Sequence, residues 1–464
     1  YWEMMRKHPR CIGGFLWVLA DEGVKRVDMD GFIDNQGNFG ADGIVGPHHE
    51  KEGSYYTIKQ LWSPVQVMNT AIDRNFDGKL SVENRYDYLN LNTCRFIWQQ
   101  VKFPSVTDAS NTTTRILKQG EVQGSDVAAH GVGVVDIKTS ILPEADALFL
   151  TVIDKYGYEL WRWTFPVDKL NRETEQFSAS SGRASYTETE KGITVKANGR
   201  TFVFSKKDGQ LKDVSVNNRK ISFANGPRFI GARRADRSLD QFYNHDDEKA
   251  KAKDRTYSEF TDAAVFTKLD VKEEGGNLIL TANYKLGNLD KAQWTIHPDG
   301  MATLDYTYNF SGVVDLMGIC FDYPEEQVLS KRWLGAGPYR VWQNRIHGTQ
   351  YDIWENDYND PIPGETFTYP EFKGYFGSVS WMSIRTKEGT ISLTNETPDS
   401  YIGVYQPRDG RDRLLYTLPE SGISVLNVIP PVRNKVNSTD LCGPSSQPKW
   451  VDGSQTGRLV IRFE

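Results

Sequence analysis

The pattern that most constrains the fold of this chain extends from residue 185 to residue 464, where apolar and polar residues alternate between short turn sequences. Residues 302–310 show it most clearly, because every second position is alanine, leucine, tyrosine or phenylalanine, directly after an Asp299-Gly300 turn. Such a strand buries one face and leaves the other in water. With no long helical pattern and no short internal repeat, the stretch predicts one large β-sandwich rather than a propeller.

A smaller β region precedes it. Residues 78–101 alternate, and residues 147–165 are typical of a hairpin that turns at a Tyr-Gly pair. Strands spaced in this way over about a hundred residues predict an immunoglobulin-like β-sandwich, which we assign to residues 67–168. The polar residues 169–184 lack periodicity and predict a linker to the large β-sandwich domain.

Residues 1–66 have a different character. Helix formers occupy residues 3–8, and a nearly continuous apolar run then extends from Ile12 to Ala20. A run of this kind is typical of a parallel strand covered on both faces. Residues 54–62 predict a second helix after a loop rich in glycine and proline. One strand with two helices cannot form a closed sheet or bury both faces of that strand.

The composition is that of a globular protein. Hydrophobic residues make up 38% and charged residues 25% of the chain, and 55 basic against 61 acidic residues give a net charge of −6. No basic block favours nucleic acid as a partner, and no apolar run is long enough to predict a membrane span.

The cysteines Cys11, Cys94, Cys320 and Cys442 form no CxxC or Cys/His spacing, so we expect no zinc site. Cys11 and Cys94 lie in apolar runs and are expected to be buried free thiols. The cysteines therefore do not decide between an oxidising and a reducing compartment. We expect a periplasmic or secreted location rather than a cytoplasmic one.

Candidate substrate-binding residues follow the apolar run. In a barrel, the carboxyl end of each strand faces the active site, so Trp17 would point into the barrel mouth and Asp21 would begin the loop. The alternative, in which Trp17 is a core residue and Asp21 starts a solvated loop, agrees equally well with the sequence.

The loop over residues 35–52 places Phe39, Asp42 and His48 at the same end. Its His-His-Glu sequence lacks the HExxH spacing of zinc proteases, which disfavours a transition-metal site. A backbone carbonyl together with Asp42 would suit a hard cation. The spacing of Asp21 and Asp42 does not require them to meet, so no acid/base pair of carboxylates is identified.

Two aromatic runs stand out in the large β region, and they contain Trp342 and Trp354. These side chains could line a sugar groove, but we favour hydrophobic seals at the loop edges. His297 and His347 have no partner in the sequence pattern and are expected to be structural.

Several segments resemble glycoside hydrolase family 2, the β-galactosidase and β-glucuronidase family. GGFLWVLADEG resembles its last barrel strand, and NFGADGIVGPHHEKEGSYYTIKQLWSPVQV resembles the loop and final helix that follow. NRYDYLNLNTCRFIWQQV is similar to the opening motif of the next sandwich. GPRFIGARRADRS and GAGPYRVWQNR resemble two landmarks of the large C-terminal β domain.

The resemblance implies a mainly β chain in three parts: the tail of a (β/α)8 barrel at residues 1–66, an immunoglobulin-like β-sandwich, and a large β-sandwich (supersandwich) at 185–464. It further implies the C-terminal portion of a retaining exo-β-glycosidase, β-galactosidase-like, that hydrolyses terminal β-linked sugars of oligo- or polysaccharides. The alternative is a non-catalytic carbohydrate-binding or scaffold fragment.

Carried over by position, Trp17 matches a tryptophan that forms the floor of the sugar subsite. Phe39 matches a phenylalanine whose carbonyl binds sodium, and Asp42 occupies the place of an asparagine that supplies a second ligand. Asp21 and His48 complete the expected substrate-binding set. The family's two catalytic glutamates belong to earlier barrel strands, so we expect no catalytic residue in this chain and no activity from it alone. The usual Trp-Asp-Trp of the galactosidases is Trp-Val-Leu here.

The expected partners are therefore a carbohydrate substrate, an N-terminal half of the enzyme and a homo-oligomer. The expected cofactor is Na⁺ or another hard cation, with no organic cofactor.

Overall fold

The computed structural model describes residues 2–34, 40, 43–107, 113–167, 182–234, 257–260, 262–357, 374–404, 419, 421–431 and 443–464. Within these ranges the fold is mainly β, as predicted, and its α-helices are α1 (Trp2–Lys7) and α2 (Gly53–Leu61). Both helices lie where the sequence predicted them, to within one residue. No helix in the described ranges is long and apolar enough to cross a membrane.

The predicted parallel strand at Ile12–Ala20 is wrong. The segment has no regular strand structure, and only Ala20 makes a bridge, to Val45. The side chains of Ile12 and Phe15 are fully exposed. A strand needs hydrogen-bonding neighbours along its length, and the described residues supply one bridge. The short hairpin of β1 (Val24–Arg26) and β2 (Phe32–Asp34) follows.

Two sheets of antiparallel strands form the smaller sandwich. The strands of the three-stranded sheet are β3 (Val65–Val67), β4 (Lys79–Asn84) and β7 (Val132–Asp136). Those of the four-stranded sheet, in spatial order, are β6 (Arg115–Gln123), β5 (Arg95–Lys102), β8 (Ala147–Ile153) and β9 (Glu159–Pro166). The predicted hairpin at residues 147–165 is confirmed as β8 and β9. Apolar residues of both sheets, among them Leu80, Phe96 and Leu150, form one buried core.

The larger sandwich contains an eleven-stranded and a nine-stranded sheet among the described residues. The strands of the first are β10 (Ser185–Glu188), β11 (Gly192–Ala197), β12 (Arg200–Ser205), β13 (Leu211–Val216), β14 (Arg219–Ile221), β15 (Ala224–Arg234), β16 (Tyr257–Glu259), β21 (Leu316–Asp322), β24 (Phe376–Gly377), β27 (Tyr401–Val404) and β28 (Ile423–Val428). Those of the second are β17 (Val265–Glu274), β18 (Asn277–Lys285), β19 (Leu289–Ile296), β20 (Ala302–Val314), β22 (Val328–Gly337), β23 (Gln350–Asp357), β25 (Trp381–Thr386), β26 (Thr390–Asn395) and β29 (Lys449–Phe463).

The core of this sandwich lies between the two sheets and is rich in aromatic residues. Trp294, Tyr308 and Trp333 are almost completely buried in it. The alternation predicted over residues 302–310 is confirmed, because the even-numbered side chains of β20 are buried. β20 pairs with β29 over its whole length, from Ala302 opposite Ile461 to Val314 opposite Lys449. The central strand pair is therefore also the longest ladder of the sheet.

The two sandwiches share a small hydrophobic core. Phe103 and Phe149 of the smaller sandwich pack with Leu334 and Trp381 of the larger one. Asp352 on β23 accepts hydrogen bonds from the Thr114 hydroxyl at 2.6 Å and from Arg162 at 2.9 Å. A shared apolar core with a charge-assisted polar contact at its edge fixes the relative position of the two units.

The cysteines divide between buried and exposed positions. Cys94 and Cys320 are buried free thiols, as expected for Cys94, whereas Cys11 is an exposed free thiol. The prediction for Cys11 is wrong because the apolar run that follows it does not form a covered strand. Cys442 lies outside the described residues, as do residues 169–181 of the predicted linker, so the predicted domain boundaries remain predictions.

Candidate functional site

Asp21 lies at the point where the segment after α1 meets the loop that precedes α2. Its carboxylate Oδ1 accepts a hydrogen bond from the backbone N–H of Gly43 at 2.7 Å, and its own N–H donates to the Val45 carbonyl at 3.0 Å. Only 6% of the residue is exposed. The expected solvated start of a loop is therefore absent, and Asp21 instead ties two segments together.

Gly43 is required at this junction. A Cβ atom at this position would lie 2.3 Å from the Asp21 backbone nitrogen and 2.4 Å from the Val45 carbonyl oxygen. Such distances are impossible without moving the backbone. The N–H groups of Ile44 and Val45 both donate to the Leu19 carbonyl at 3.1 Å, which continues the contact between the two segments.

Glu52, directly before α2, forms a charge cluster with Asp21 and Arg345. Burial, and secondly the charge of Asp21, raise the pKa of Glu52 to about 8, while Arg345 acts in the opposite direction. The buried Oε1 atom of Glu52 has no hydrogen-bond partner in the described part of the chain. Burial lowers the pKa of Arg345 and Glu52 opposes this, but a guanidinium stays protonated at any relevant pH.

Arg345 comes from the large sandwich, whose residues 338–349 dock against α2. The Tyr339 hydroxyl donates to the Lys51 carbonyl at 2.9 Å, and the rings of Tyr56 and Tyr339 are 5.2 Å apart. The Thr57 hydroxyl donates to the carbonyl of His347 at 2.8 Å. The large sandwich thus contributes both a charge and a fixed surface to the site.

The other predicted site residues are distributed differently. Trp17 is 76% exposed, so it is not a core residue. His48 is exposed, and its backbone N–H donates to a carboxylate oxygen of Glu50 at 3.0 Å. Phe39 and Asp42, the predicted cation ligands, lie outside the described residues. No cluster of three or more His, Cys, Asp or Glu side chains able to hold a metal occurs in the described ranges.

Of the aromatic residues weighed as sugar ligands, Trp342 is 1% exposed and packs beside Tyr375 in a core on the outer face of the eleven-stranded sheet. Trp354 is half-buried, and its indole N–H donates to the Gly335 and Gln350 carbonyls. Both observations agree with the favoured role of hydrophobic seals. His297 is half-buried with its ring nitrogen 2.8 Å from the Thr303 hydroxyl, which agrees with a structural role.

The sequence did not reveal Glu52 and Arg345 as partners. They are separated by 293 positions in the chain, and no local spacing connects them. The available signal was that both lie in segments already singled out, the loop before α2 and the run that contains Trp342.

Chemically, this site offers the Asp21 carboxyl group, held by a backbone N–H, the Glu52 carboxyl group, whose pKa is raised to about 8, and the Arg345 guanidinium. Such a set can accept hydrogen bonds from hydroxyl groups and donate one in return. Trp17, four residues before Asp21 in the chain, is an exposed apolar side chain. Among the described residues, these groups suit the binding of a polyhydroxylated ligand better than that of an anion.

Comparison with known proteins gives a consistent result. Residues 196–425 match the family described as "Beta galactosidase small chain". The chain is 22% identical to a "Beta-galactosidase" of Priestia megaterium over 433 residues, which cover 86% of this chain and 39% of the relative. It is 19% identical to a "Beta-galactosidase" of Pseudoalteromonas haloplanktis over 404 residues, which cover 78% of this chain and 37% of the relative. The chain therefore matches less than half the length of these curated relatives.

Among solved structures, the galactose 1-epimerase of Lactobacillus acidophilus NCFM covers 61% of this chain and 99% of its own, with 10% identity and a TM-score of 0.33. At this TM-score the likeness does not establish a shared fold.

Proposed function

We propose that this chain, the C-terminal portion of a β-galactosidase-like protein, completes the sugar-binding site of a larger enzyme. The enzyme would be a retaining exo-β-glycosidase of glycoside hydrolase family 2. In this proposal residues 1–66 are the last part of the catalytic barrel. The large sandwich supports that part from one side through residues 338–349.

The observation that carries the proposal is the Asp21–Glu52–Arg345 cluster, with the exposed Trp17 four residues before Asp21 in the chain. Asp21 is oriented by the Gly43 N–H, and Glu52 keeps an unpaired buried oxygen. A sugar ring presents hydroxyl groups on its edge and C–H groups on its face. The cluster would bind the hydroxyls and the indole would cover the face.

Hydrolysis with retention uses two carboxyl groups about 5–5.5 Å apart. One carboxylate attacks the anomeric carbon, while the other group protonates the leaving oxygen and later deprotonates the attacking water. We assign both groups to parts of the parent protein outside this chain. The chain by itself is then expected to be inactive, with the role of binding and positioning the terminal sugar.

The cation site formed by the Phe39 carbonyl and Asp42 stays a prediction. A hard cation next to the sugar would bind carbonyl and carboxylate oxygens together with a sugar hydroxyl.

The test uses the complete parent protein and a panel of nitrophenyl β-glycosides. Replacing Trp17 with alanine should lower kcat/KM about tenfold, corresponding to ~1.4 kcal/mol of lost aromatic contact. Trp450→Ala is the matched control, because Trp450 is similarly exposed, at 69%, but lies on β29. Equal kinetics of the two variants would remove Trp17 from the site, and no hydrolysis of any glycoside by the complete protein would favour the non-catalytic alternative.

A further inference from the structure

A second candidate site lies between the two sandwiches, in a cleft of about 560 Å³. The smaller sandwich contributes Ile72 and Pro166 to its lining, and the larger one contributes Tyr351, Ser378 and the turn over residues 395–400. The volume falls within the range of small-molecule sites, roughly 300–1,000 Å³. Neither α1 nor α2 contributes a lining residue, so the cleft is separate from the Asp21 cluster.

The turn over residues 395–400 is held in shape by its own side chains. Asn395 Oδ1 accepts from the Thr397 N–H at 3.1 Å, and Asn395 Nδ2 donates to the Ser400 hydroxyl at 2.9 Å. The Ser400 hydroxyl in turn donates to the Thr397 carbonyl at 2.8 Å. A ligand bound here would not have to order the turn, which lowers the entropic cost of binding.

Tyr351, another lining residue of the larger sandwich, is also fixed in place. The Tyr351 hydroxyl lies 2.6 Å from the Ser380 hydroxyl, and the ring packs against Phe103 of the smaller sandwich at a centroid distance of 5.7 Å. The carboxylate of the neighbouring Asp352 accepts hydrogen bonds from Thr114 and Arg162 of the smaller sandwich. The space between the sandwiches therefore has firm boundaries formed by both units.

Three polar groups in the lining have no hydrogen-bond partner in the described part of the chain: the Asp399 carboxylate, the Ser378 hydroxyl and the Tyr401 hydroxyl. Asp399 and Ser378 are exposed and Tyr401 is half-buried. Tyr401 pairs with Gly377 in the sheet, directly beside Ser378. Asp399 lies two residues before Tyr401 in the chain, and both residues line the cleft.

The chemistry of the lining selects the ligand class. None of the described lining residues is basic, so an anionic ligand would meet Asp399 without a compensating charge. Hydroxyl and carboxylate groups lie on the larger sandwich, and Ile72, Pro166 and Val167 give the smaller sandwich an apolar surface. A ligand with hydroxyl groups on one side and C–H groups on the other fits both surfaces.

We propose that this cleft binds a neutral saccharide of one or two rings, with Asp399, Ser378 and Tyr401 as its hydrogen-bonding groups. The site is additional to the glycosidase site proposed above and does not depend on it. It would hold a sugar without hydrolysing it.

The experiment measures binding of galactose, lactose and galacturonate to the 464-residue chain by ligand-detected NMR. We expect the two neutral sugars to bind and galacturonate to bind more weakly, because Asp399 repels its carboxylate. Asp399→Ala should weaken lactose binding about tenfold, and Tyr401→Phe should weaken it through loss of one hydroxyl. Asp290→Ala and Tyr186→Phe, which change exposed residues on β19 and β10, are the matched controls.

Three results would overturn the proposal. The first is the same lactose affinity in Asp399→Ala, Tyr401→Phe and the controls, with circular dichroism showing that all variants are folded. The second is galacturonate binding as tightly as galactose. The third is a saturable Ca²⁺ response that Asp399→Ala abolishes, without any sugar binding, which would assign the carboxylate to a cation. Because no arm measures hydrolysis, failure here leaves the glycosidase proposal standing.

Discussion

Gly348 is the residue on which docking of the large sandwich against α2 most depends. Its N–H donates to the Gln60 side-chain oxygen at 2.6 Å, and its φ angle is +90°. A Cβ atom at this position would lie 2.4 Å from the Thr57 nitrogen and 2.8 Å from the Tyr56 carbonyl carbon. Both atoms belong to the backbone of α2, so no side-chain rotation can relieve the overlap.

Gly348→Ala should therefore separate residues 338–349 from α2. The positive φ angle costs an alanine about 1–3 kcal/mol, and overlap with packed backbone adds about 1–3 kcal/mol. Gly157→Ala isolates the first contribution. Gly157 has a φ angle of +91°, but no heavy atom lies within 4 Å of a Cβ built there.

Hydrogen exchange followed by mass spectrometry reports the effect on α2 directly. In Gly348→Ala the amides of residues 53–61 should exchange about 5- to 150-fold faster, corresponding to the ~1–3 kcal/mol of overlap. In Gly157→Ala their exchange should match the unsubstituted chain. Unchanged α2 exchange in Gly348→Ala, or an equal increase in both variants, would refute the view that this contact holds the helix.

Two further predictions concern pH and core packing. Burial and the charge of Asp21 raise the pKa of Glu52 to about 8, so folding favours the protonated form of this side chain. The resulting stabilisation of the folded chain is fully present below pH ~4.5 and is lost as pH rises through ~8. Glu52→Gln should reduce the loss of thermal stability over that pH interval, whereas Glu22→Gln, at an exposed position, should not. The same dependence of Tm on pH in the unsubstituted chain, Glu52→Gln and Glu22→Gln would contradict this. Tyr308→Phe removes the hydrogen bond of a buried hydroxyl to Asn427 at 2.6 Å. It should lower the free energy of urea unfolding by about 1–3 kcal/mol, whereas Tyr186→Phe should change it by no more than about 0.5 kcal/mol. Equal urea midpoints of the two variants would contradict this prediction.

The parts of the fold that depend on local periodicity could be predicted from the sequence. The alternation along β20 reports directly which side chains are buried, because β20 pairs along its length with β19, its neighbour in the chain, and with β29. The hairpin of β8 and β9 follows from its turn residues in the same way. The apolar run from Ile12 to Ala20 has a pattern that is just as clear, yet a strand forms only where partners pair with it, and its local sequence contains no information about them.

The candidate site was predictable only in part. Asp21 was identified because it follows the apolar run, but its burial depends on a hydrogen bond from Gly43, 22 residues later. Glu52 acquires its raised pKa from burial and from the charge of Asp21, which the fold brings near it, while Arg345 of the large sandwich acts in the opposite direction. Long-range electrostatic contacts of this kind have no signature in residue spacing.

The position of β29 has a consequence for how the large sandwich is made in the cell. In the nine-stranded sheet, β29 lies between β20 and β26, both of which precede it in sequence. Until the ribosome has delivered residues 449–463, the sheet can exist only as two halves, each with an unpaired edge. Ala302 cannot pair with Ile461 until that residue, 159 positions later, has been synthesised. Contacts this distant in sequence form slowly. Nascent chains stalled before β29 should therefore recruit chaperones, and the sheet should close only after β29 has left the ribosome.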